Sequence, residues 1–306
     1  MFEEIKYIWK NGDFISFEEA KVSVLVHTLH YGLGVFEGIR CYECVNGSAI
    51  FRLEDHLKRF INSAKVFMMD IKYSLDELKK NIIELILKNS FKACYIRPIA
   101  FYGLKSLGVY VDNSHPIEVV IAVWPWGAYL GEEALKGGVK VKTSTFVRYH
   151  VNSVATRSKA CGNYMTSVLA KKEAVLDGYD EAIFLDADGY VSEGTGENIF
   201  ILQDNKLITT PLTSVLRGIT RESVIEIAKD KGLEVVERRF TRDDIYIADE
   251  AFLTGTAAEI TPIRELDGRV VGKGRIGNIT NMLQEEFFDI VKGKNDKYKK
   301  WLTYIS

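Results

Sequence analysis

The stretch "RSKACGNY", residues 157–164, places Lys159 among small residues and directly before a segment with a helical pattern. A lysine that forms a Schiff base must be shielded from water, lose its proton near neutral pH and lie beside an electrophile. The stretch alone leaves two interpretations open: a solvated surface charge, or an amine held for chemistry.

Two segments that combine glycine with threonine could bind an anion. A helix N-terminus presents unpaired N–H groups and the positive end of its dipole, and a glycine lets the backbone approach a ligand closely. The residues are Gly218, Ile219 and Thr220 in "LRGITRES", and Thr254, Gly255 and Thr256 in "LTGTAAEITPI". A structural role explains each segment too: Thr220 as a helix cap with a turn at Gly218, and a tight turn between strands at Gly255.

The turn "SEGTGENIF" concentrates two carboxylates, Glu193 and Glu197, around two glycines and is followed by Asn198. In a surface loop these acids would be solvated and without special function. Pyridoxal 5′-phosphate, however, needs a lysine for its aldehyde, an anion site for its phosphate and a carboxylate that keeps its ring nitrogen protonated. Lys159, the two glycine-and-threonine segments and Glu193 provide a candidate for each of these demands.

Two arginines could bind anionic groups. Arg97 interrupts an apolar strand directly before Pro98, where an unpaired guanidinium would be costly to bury. We therefore expect a carboxylate partner for Arg97, from a substrate or from the protein. Arg59 lies off the apolar stripe of its predicted helix, so it is either free to reach a phosphate or simply solvated.

Periodicity predicts short strands and helices along the whole chain. Strands are predicted at 22–26, within 35–51 around a turn at Asn46-Gly47, at 93–101 and 117–127, and as a meander over 181–210; helices are predicted at 54–69, 74–88, 220–231 and 276–292. Ser74 and Glu77 form a capping box for the second helix. The pattern predicts an α+β fold.

A crowd of glycines and a proline over residues 124–138 marks the predicted domain boundary. We predict a small N-terminal α/β domain over 1–123, an interdomain linker over 124–136 and a larger, β-rich C-terminal domain over 137–306. A chain of 306 residues is long enough for two domains with their own cores.

Composition excludes several classes of protein. A formal net charge of −2 without a basic block does not indicate a surface that binds nucleic acid. No apolar run is long enough to span a membrane. The acidic N-terminus does not resemble a secretion signal, so we expect a cytoplasmic protein. Four scattered cysteines favour a reducing compartment, and "CYEC" lacks the second ligand pair that zinc needs, so no metal site is predicted. Small molecules are the expected partners.

The chain resembles the class IV pyridoxal-phosphate aminotransferases in a series of spaced residues: Glu193, Thr195, Asn198, Phe200, Leu207, Thr209, Leu216, Gly218, Ile219 and Arg221. The segments "HYGLGVFEGIRCY", "YIRPIAF", "PWGAYLG", "SKACGNY" and "GTAAEITP" are similar to the branched-chain amino acid aminotransferases in particular. The resemblance extends from about Trp9 to Phe288. It implies a two-domain fold of type IV, like that of D-amino-acid aminotransferase.

The resemblance also implies roles for individual residues. Lys159 matches the lysine that holds pyridoxal 5′-phosphate as a Schiff base, Glu193 the acid at the ring nitrogen, and Tyr164 the tyrosine at the phenolic oxygen. Arg59, Ile219, Thr220 and Thr256 match the phosphate-binding residues, with Gly218 in the turn. The substrate-binding positions are Tyr31, Phe36, Gly38, Tyr95, Arg97, Tyr129, Thr256, Ala257 and Ala258. Arg97 matches the arginine for the distal carboxylate of glutamate, and Thr256 and Ala257 match donors to the α-carboxylate.

The activity implied is the transfer of the amino group of L-leucine, L-isoleucine or L-valine to 2-oxoglutarate, in a homodimer or higher homo-oligomer whose segment 107–109 reaches the neighbouring subunit's site. Leu33 and Gly34 depart from the smaller polar residues that many relatives carry after "HYG". Alternatives are therefore a D-amino-acid or (R)-amine transaminase, an aminodeoxychorismate lyase and a non-catalytic binder of a phosphorylated ligand. For Tyr31, Phe36 and Tyr95, core packing is the alternative to a substrate role.

Overall fold

The computed structural model describes residues 3–112, 114–127 and 129–305. Contacts divide the chain into two compact units. Unit 1 comprises the described residues of Met1–Trp126, Ser158–Gly162 and Asp289–Ser306, and unit 2 comprises those of Gly127–Arg157 and Asn163–Phe288. The segment that carries Lys159 thus groups with unit 1, as does the C-terminal segment, whereas the predicted domains 1–123 and 137–306 are contiguous. The domain boundaries themselves stay a prediction.

The elements alternate along the chain as the periodicity predicts. The helices are α1 His27–Tyr31, α2 Leu53–Val66, α3 Leu75–Asn89, α4 Glu132–Gly137, α5 Tyr164–Leu176, α6 Ile219–Asp230, α7 Arg242–Tyr246 and α8 Asn278–Val291. The strands are β1 Tyr7–Lys10, β2 Asp13–Ser16, β3 Gly34–Phe36, β4 Ile39–Cys44, β5 Gly47–Phe51, β6 Cys94–Tyr102, β7 Ile117–Trp124, β8 Val139–Thr143, β9 Glu181–Leu185, β10 Val191–Gly194, β11 Asn198–Gln203, β12 Lys206–Thr209, β13 Glu234–Glu237, β14 Glu250–Gly255, β15 Glu259–Leu266, β16 Arg269–Val270 and β17 Leu302–Ile305.

Unit 1 is built on an antiparallel sheet with the order β17-β5-β4-β6-β7-β1-β2, in which β3 also pairs with β6. The helices α2 and α3 bury their apolar faces against this sheet, with Leu57 and Phe60 from α2 and Ile82 from α3 in the shared core. The Ser74–Glu77 capping box is present at the start of α3. The core therefore holds β3, β4 and β6 in place beneath α2.

Unit 2 contains a mixed sheet with the order β10-β9-β8-β15-β14-β11-β12-β13, to which β16 adds on β15. The parallel pairs are β8 with β9, β8 with β15, and β12 with β13. In its centre Phe200 of β11 stacks on Phe252 of β14, with ring centroids 5.0 Å apart. Ala170 and Ala174 of α5 pack on Ala182 and Phe184 of β9. These strands position the turn "SEGTGENIF" and the N-terminus of α6.

The structure confirms the α+β prediction and the four predicted helices. The predicted strand at 22–26 is wrong, because the segment forms a turn in which Val22, Val24 and Leu25 are exposed and only Val26 is buried. An apolar run without a partner strand gains nothing from the extended conformation. Within the described residues, no helix combines the length and the apolar character that crossing a membrane requires.

Asn89, at the end of α3, links this helix to β1, and its removal tests that link. Its Oδ1 accepts from the backbone N–H of Lys6 at 2.8 Å and of Tyr7 at 3.0 Å, and its Nδ2 donates to the carbonyl oxygen of Leu85 at 2.9 Å. Asn89→Ala leaves these groups without their partner, so we expect the free energy of unfolding to fall by about 1–3 kcal/mol in urea denaturation.

Asn62→Ala is the matched control, because Asn62 is exposed on α2 and alanine favours helix. Its free energy of unfolding should stay within about 0.5 kcal/mol of the parent protein. Equal stability of the two variants would show that Asn89 does not anchor β1.

Candidate active site

The backbone of Lys159 is fixed by α2 and β3. Its N–H donates to Ser63 Oγ of α2 at 3.0 Å, and its carbonyl accepts from the N–H of Phe36 at 3.0 Å. The next residue, Ala160, forms a β-bridge with Val35. The side chain of Lys159 therefore leaves a backbone held on both sides, which gives its amine a defined position.

The amine of Lys159 lies in an apolar and cationic environment. Its Nζ is 5.0 Å from the centroid of the Phe36 ring. Burial, followed by the positive charge of Arg59, lowers the pKa of Lys159 to about 8, although Glu37 opposes this shift. A substantial fraction of the amine is then neutral and nucleophilic near neutral pH.

Glu37 is the fully buried centre of a charge cluster in unit 1. Its carboxylate accepts from Arg59 Nε at 2.5 Å and from Arg59 Nη2 at 2.8 Å, and His56 Nδ1 lies 2.7 Å away. Burial alone would raise the pKa of Glu37, but the charge and hydrogen bonds of Arg59, together with His56, hold it well below its usual range. Arg59 is thus oriented by Glu37, which lies between β3 and β4. The alternative of a merely solvated Arg59 is therefore wrong.

Arg97 on β6 is surrounded by aromatic rings. Its guanidinium carbon lies 4.6 Å from the ring centroid of Phe36, 5.3 Å from that of Tyr95 and 5.7 Å from that of Trp124. Arg97 forms no ion pair with the described residues, and its buried Nε has no hydrogen-bond partner among them. We expected a carboxylate partner for Arg97 from a substrate or from the protein, and none of the described protein residues supplies one.

Gly38 is positioned by close contact with Tyr95. A Cβ built at Gly38 would overlap the hydroxyl of Tyr95, so only glycine leaves room for this ring. Tyr95 itself is buried against Trp126, with ring centroids 4.5 Å apart. Phe36, Gly38, Tyr95 and Arg97 therefore lie together. Tyr31 lies on α1, is 46% exposed, and has its ring 4.6 Å from that of His27.

Glu193, on β10 in unit 2, is buried and engaged at both carboxylate oxygens. Arg148 Nη2 lies 2.6 Å from Oε1, while Oε2 accepts from the N–H of Leu216 at 3.1 Å and from Asn198 Nδ2 at 3.3 Å. Donors of this kind stabilise the ionised form of a carboxylate. The structure thus holds Glu193 as an acceptor, which rules out the solvated surface loop.

Arg148, Tyr149 and Tyr164 adjoin Glu193. The guanidinium carbon of Arg148 lies 4.2 Å from the ring centroid of Tyr149. Burial raises the pKa of Tyr149 beyond its ordinary range; Arg148 opposes this shift, whereas Glu193 and Tyr164 add to it. The structure therefore brings Tyr164, the first residue of α5, into the electrostatic surroundings of Glu193.

A second buried acid, Glu197, lies in the same turn. Burial, together with the charges of Glu181 and then Glu193, raises the pKa of Glu197 to about 8, although the N–H of Gly196 donates to it at 3.0 Å. Glu181 differs because it pairs with Lys171 Nζ at 2.8 Å. Burial beside other acids therefore favours the protonated form of Glu197.

The two glycine-and-threonine segments both lie in unit 2. Helix α6 begins after Gly218, and none of the described side chains caps its N-terminus, so the alternative role of Thr220 as a cap is wrong. Ile219 and Thr220 form its buried first turn. Thr256, Ala257 and Ala258 form the tight turn between β14 and β15, in which Ala258 is buried.

Tyr129, the remaining predicted substrate-binding residue of unit 2, is 38% exposed, and Lys171 Nζ lies 5.6 Å from the centroid of its ring.

Sequence patterns missed three ionisable residues of these clusters: Glu37, His56 and Arg148. Glu37 had a signal, since it is an acid inside the apolar stretch "GVFEGI". The pairing of Arg148 with Glu193 spans 45 positions and has no local pattern. The functional roles of the site residues stay predictions at this point.

The chain matches known proteins over nearly its whole length. Residues 34–266 match the model of the family Amino-transferase class IV. The chain is 49% identical over 298 residues to a branched-chain-amino-acid aminotransferase of Pseudomonas aeruginosa, covering 97% of both chains.

Two solved T.th. structures of a branched-chain amino acid aminotransferase show the same fold. One, with pyridoxamine 5′-phosphate, superposes with a TM-score of 0.96 at 50% identity, and 99% of each chain is covered. The other, complexed with N-(5′-phosphopyridoxyl)-L-glutamate, superposes with a TM-score of 0.95 at 48% identity and the same coverage. The fold type predicted from the resemblance is thereby confirmed, and the chain belongs to the class IV aminotransferases.

Proposed function

We propose that this aminotransferase transfers the amino group of L-leucine, L-isoleucine or L-valine to 2-oxoglutarate by a ping-pong mechanism with pyridoxal 5′-phosphate. The observation that carries the proposal is the amine of Lys159, held by its backbone and shifted to a pKa of about 8. The relatives named as branched-chain aminotransferases support the substrate class, and the pyridoxamine 5′-phosphate of one of them supports the cofactor.

The residues present fit this cofactor. The helix N-terminus at Gly218 suits a phosphate, because no side chain within the described part of the chain accepts from its first N–H groups. Glu193, kept ionised by Arg148 and Asn198, suits a protonated ring nitrogen. The amine of Lys159, whose pKa is lowered to about 8, suits the aldehyde of the cofactor. When bound, pyridoxal 5′-phosphate supplies an electrophilic carbon and a ring that accepts electrons from the substrate.

The chain's own residues then have separate tasks. Lys159 would hold the cofactor, and its amine would take the proton from the substrate α-carbon as a general base. Glu193 holds a proton at the ring nitrogen, and Tyr164 donates to the phenolic oxygen. Arg59, oriented by Glu37, binds phosphate together with Ile219, Thr220 and Thr256.

Substrate recognition divides between apolar and polar groups. Apolar residues suit a branched aliphatic side chain, and those proposed to contact it are Tyr31, Phe36, Gly38 and Tyr95 of unit 1 and Tyr129 and Ala258 of unit 2. Arg97, without a protein carboxylate among the described residues, receives the distal carboxylate of 2-oxoglutarate. The N–H groups of Thr256 and Ala257 bind the α-carboxylate.

The protein acts at least as a homodimer in this proposal. The loop between β6 and β7 exposes four large apolar side chains, which a second copy would cover: Leu104, Leu107, Val109 and Tyr110 are 52%, 48%, 88% and 82% exposed. The same loop contains the segment 107–109 for which the family resemblance implies contact with a neighbouring subunit. A cytoplasmic location stays a prediction.

Replacement of Lys159 by alanine tests the catalytic amine. We expect Lys159→Ala to lose the visible absorption band of lysine-bound cofactor and to lower kcat for leucine transamination roughly 10²- to 10⁴-fold. Lys65→Ala, at an exposed lysine of α2, is the control and should keep both properties. Full transamination by Lys159→Ala would exclude the assigned role. If the absorption band of the parent protein does not change when leucine is added, the substrate is to be sought among D-amino acids and (R)-amines.

The proton affinity of Lys159 can be measured without cofactor. Because its pKa is lowered to about 8, the neutral amine forms as pH rises through about 8 and is protonated below it. We expect acetylation of Lys159 in cofactor-free protein, followed by peptide mass spectrometry, to increase with a midpoint near that pH. Acetylation of Lys65 provides the internal reference. A midpoint at the ordinary value of 10.5 would contradict the described environment.

Replacement of Arg97 separates acidic from aliphatic substrates. Arg97→Leu should lower kcat/KM for 2-oxoglutarate about 10- to 100-fold, because a charged hydrogen bond is lost, and should change that for 4-methyl-2-oxopentanoate by less than about threefold. Arg239→Leu is the control, since Arg239 pairs with Asp186 and Asp188 on the surface of unit 2. Equal losses for both oxo acids would refute a role specific to the distal carboxylate.

A further inference from the structure

Asn198 lies in a rigid part of the unit 2 sheet. It is the first residue of β11 and pairs with Thr254 of β14 in the ladder, and its side chain is buried. Strands on both sides of β11 and the stacked rings of Phe200 and Phe252 hold this region. The amide of Asn198 therefore projects from a fixed backbone.

The amide of Asn198 closes a ring of hydrogen bonds with two other segments. Its Nδ2 donates to the carbonyl of Leu216 at 2.9 Å and to Glu193 Oε2 at 3.3 Å, and the N–H of Leu216 donates to the same Oε2 at 3.1 Å. One amide thus contacts both the acid of β10 and the turn that precedes α6. These two segments are 23 residues apart and are joined through Asn198.

The other face of the amide packs against the N-cap of α6. A Cβ built at Gly218 would overlap Asn198 Oδ1, and it would lie 3.3 Å from the Cβ of Arg221. The φ of Gly218 is −71°, which any residue can adopt, so glycine is needed here for space. The amide oxygen therefore fixes how closely the start of α6 approaches β11.

These contacts define a separation between two features of unit 2. One is the ionised Glu193, and the other is the uncapped N-terminus of α6, whose helix is 12 residues long. A ligand whose protonated ring nitrogen and phosphate are joined by a short covalent link reaches both features only when their separation matches its length. The side chain of Asn198 contacts both features.

We propose that Asn198 is a positioning residue that holds Glu193 and the N-terminus of α6 at the separation that the ring nitrogen and the phosphate of pyridoxal 5′-phosphate require. This inference rests on the proposed function. Asn198 does not touch the reacting atoms; it acts through the acid that does and through the helix that binds the phosphate.

Asn198→Asp distinguishes hydrogen bonding from packing, because aspartate has nearly the same shape but no amide donor. It places a second carboxylate beside Glu193, so we expect the dissociation constant for pyridoxal 5′-phosphate to increase about 10- to 100-fold, at least as much as in Asn198→Ala. A residue that only fills space would tolerate this change. The readout is a fluorescence titration of cofactor-free protein, with thermal unfolding measured alongside.

Asn89→Ala is the control for a general loss of stability, since Asn89 is another buried, hydrogen-bonded asparagine, in unit 1. It should unfold more easily while binding the cofactor with the parental dissociation constant. Weakened binding in Asn89→Ala to the same degree as in Asn198→Asp would overturn the inference, because cofactor affinity would then follow stability alone.

The contact with Gly218 gives a second test. Gly218→Ala introduces the Cβ that overlaps Asn198 Oδ1, and Asn198→Ala removes that oxygen. We expect the double variant to bind pyridoxal 5′-phosphate no more weakly than the worse single variant, so that the two effects are not additive. Additive losses, or parental affinity in Asn198→Asp, would overturn the inference while the proposed function stands. Absence of cofactor binding to the parent protein would overturn both.

Discussion

A buried carboxylate must be given donors or a proton, and the two units are organised around this requirement. Glu37 in unit 1 has no exposed surface and is held by Arg59 and His56. Glu193 in unit 2 is held by Arg148, Asn198 and the backbone of Leu216. Removing one partner of such a pair is costly, because the remaining charge stays buried. Each cluster therefore fixes the side chains around it, and both clusters adjoin the residues assigned to chemistry.

Burial and neighbouring charges also shift the pKa of groups in both units. Burial and the charge of Glu181 raise the pKa of Glu197 to about 8, although the charge of Lys171, which pairs with Glu181, opposes this shift. In unit 1 the buried group is a cation, so burial and a neighbouring like charge lower its pKa. Burial and Arg59 lower the pKa of Lys159 to about 8, and the negative charge of Glu37 limits the shift.

The sequence predicts those parts of the molecule that have a local signal. Helical periodicity located α2 and the capping box located α3, whereas the apolar run at 22–26 was wrongly predicted as a strand because sequence does not show whether a partner strand exists. Residue type pointed to Lys159 and Glu193, but their surroundings come from residues distant in sequence. The contact between Asn198 and Gly218 depends on how closely α6 approaches the sheet. In the sequence, only the glycine at position 218 indicates this close approach.

In the proposed function Arg97 serves both an aliphatic and an acidic substrate, and its surroundings support this role. A guanidinium beside an apolar side chain would ordinarily lie unpaired at a high desolvation cost. Here the faces of Phe36, Tyr95 and Trp124 surround it, and cation–π attraction offsets part of that cost when no carboxylate is bound. A distal carboxylate then adds an ion pair to an arginine that is already positioned. The same rings present apolar surface to a branched side chain, so the two kinds of substrate require no rearrangement of charge within the protein.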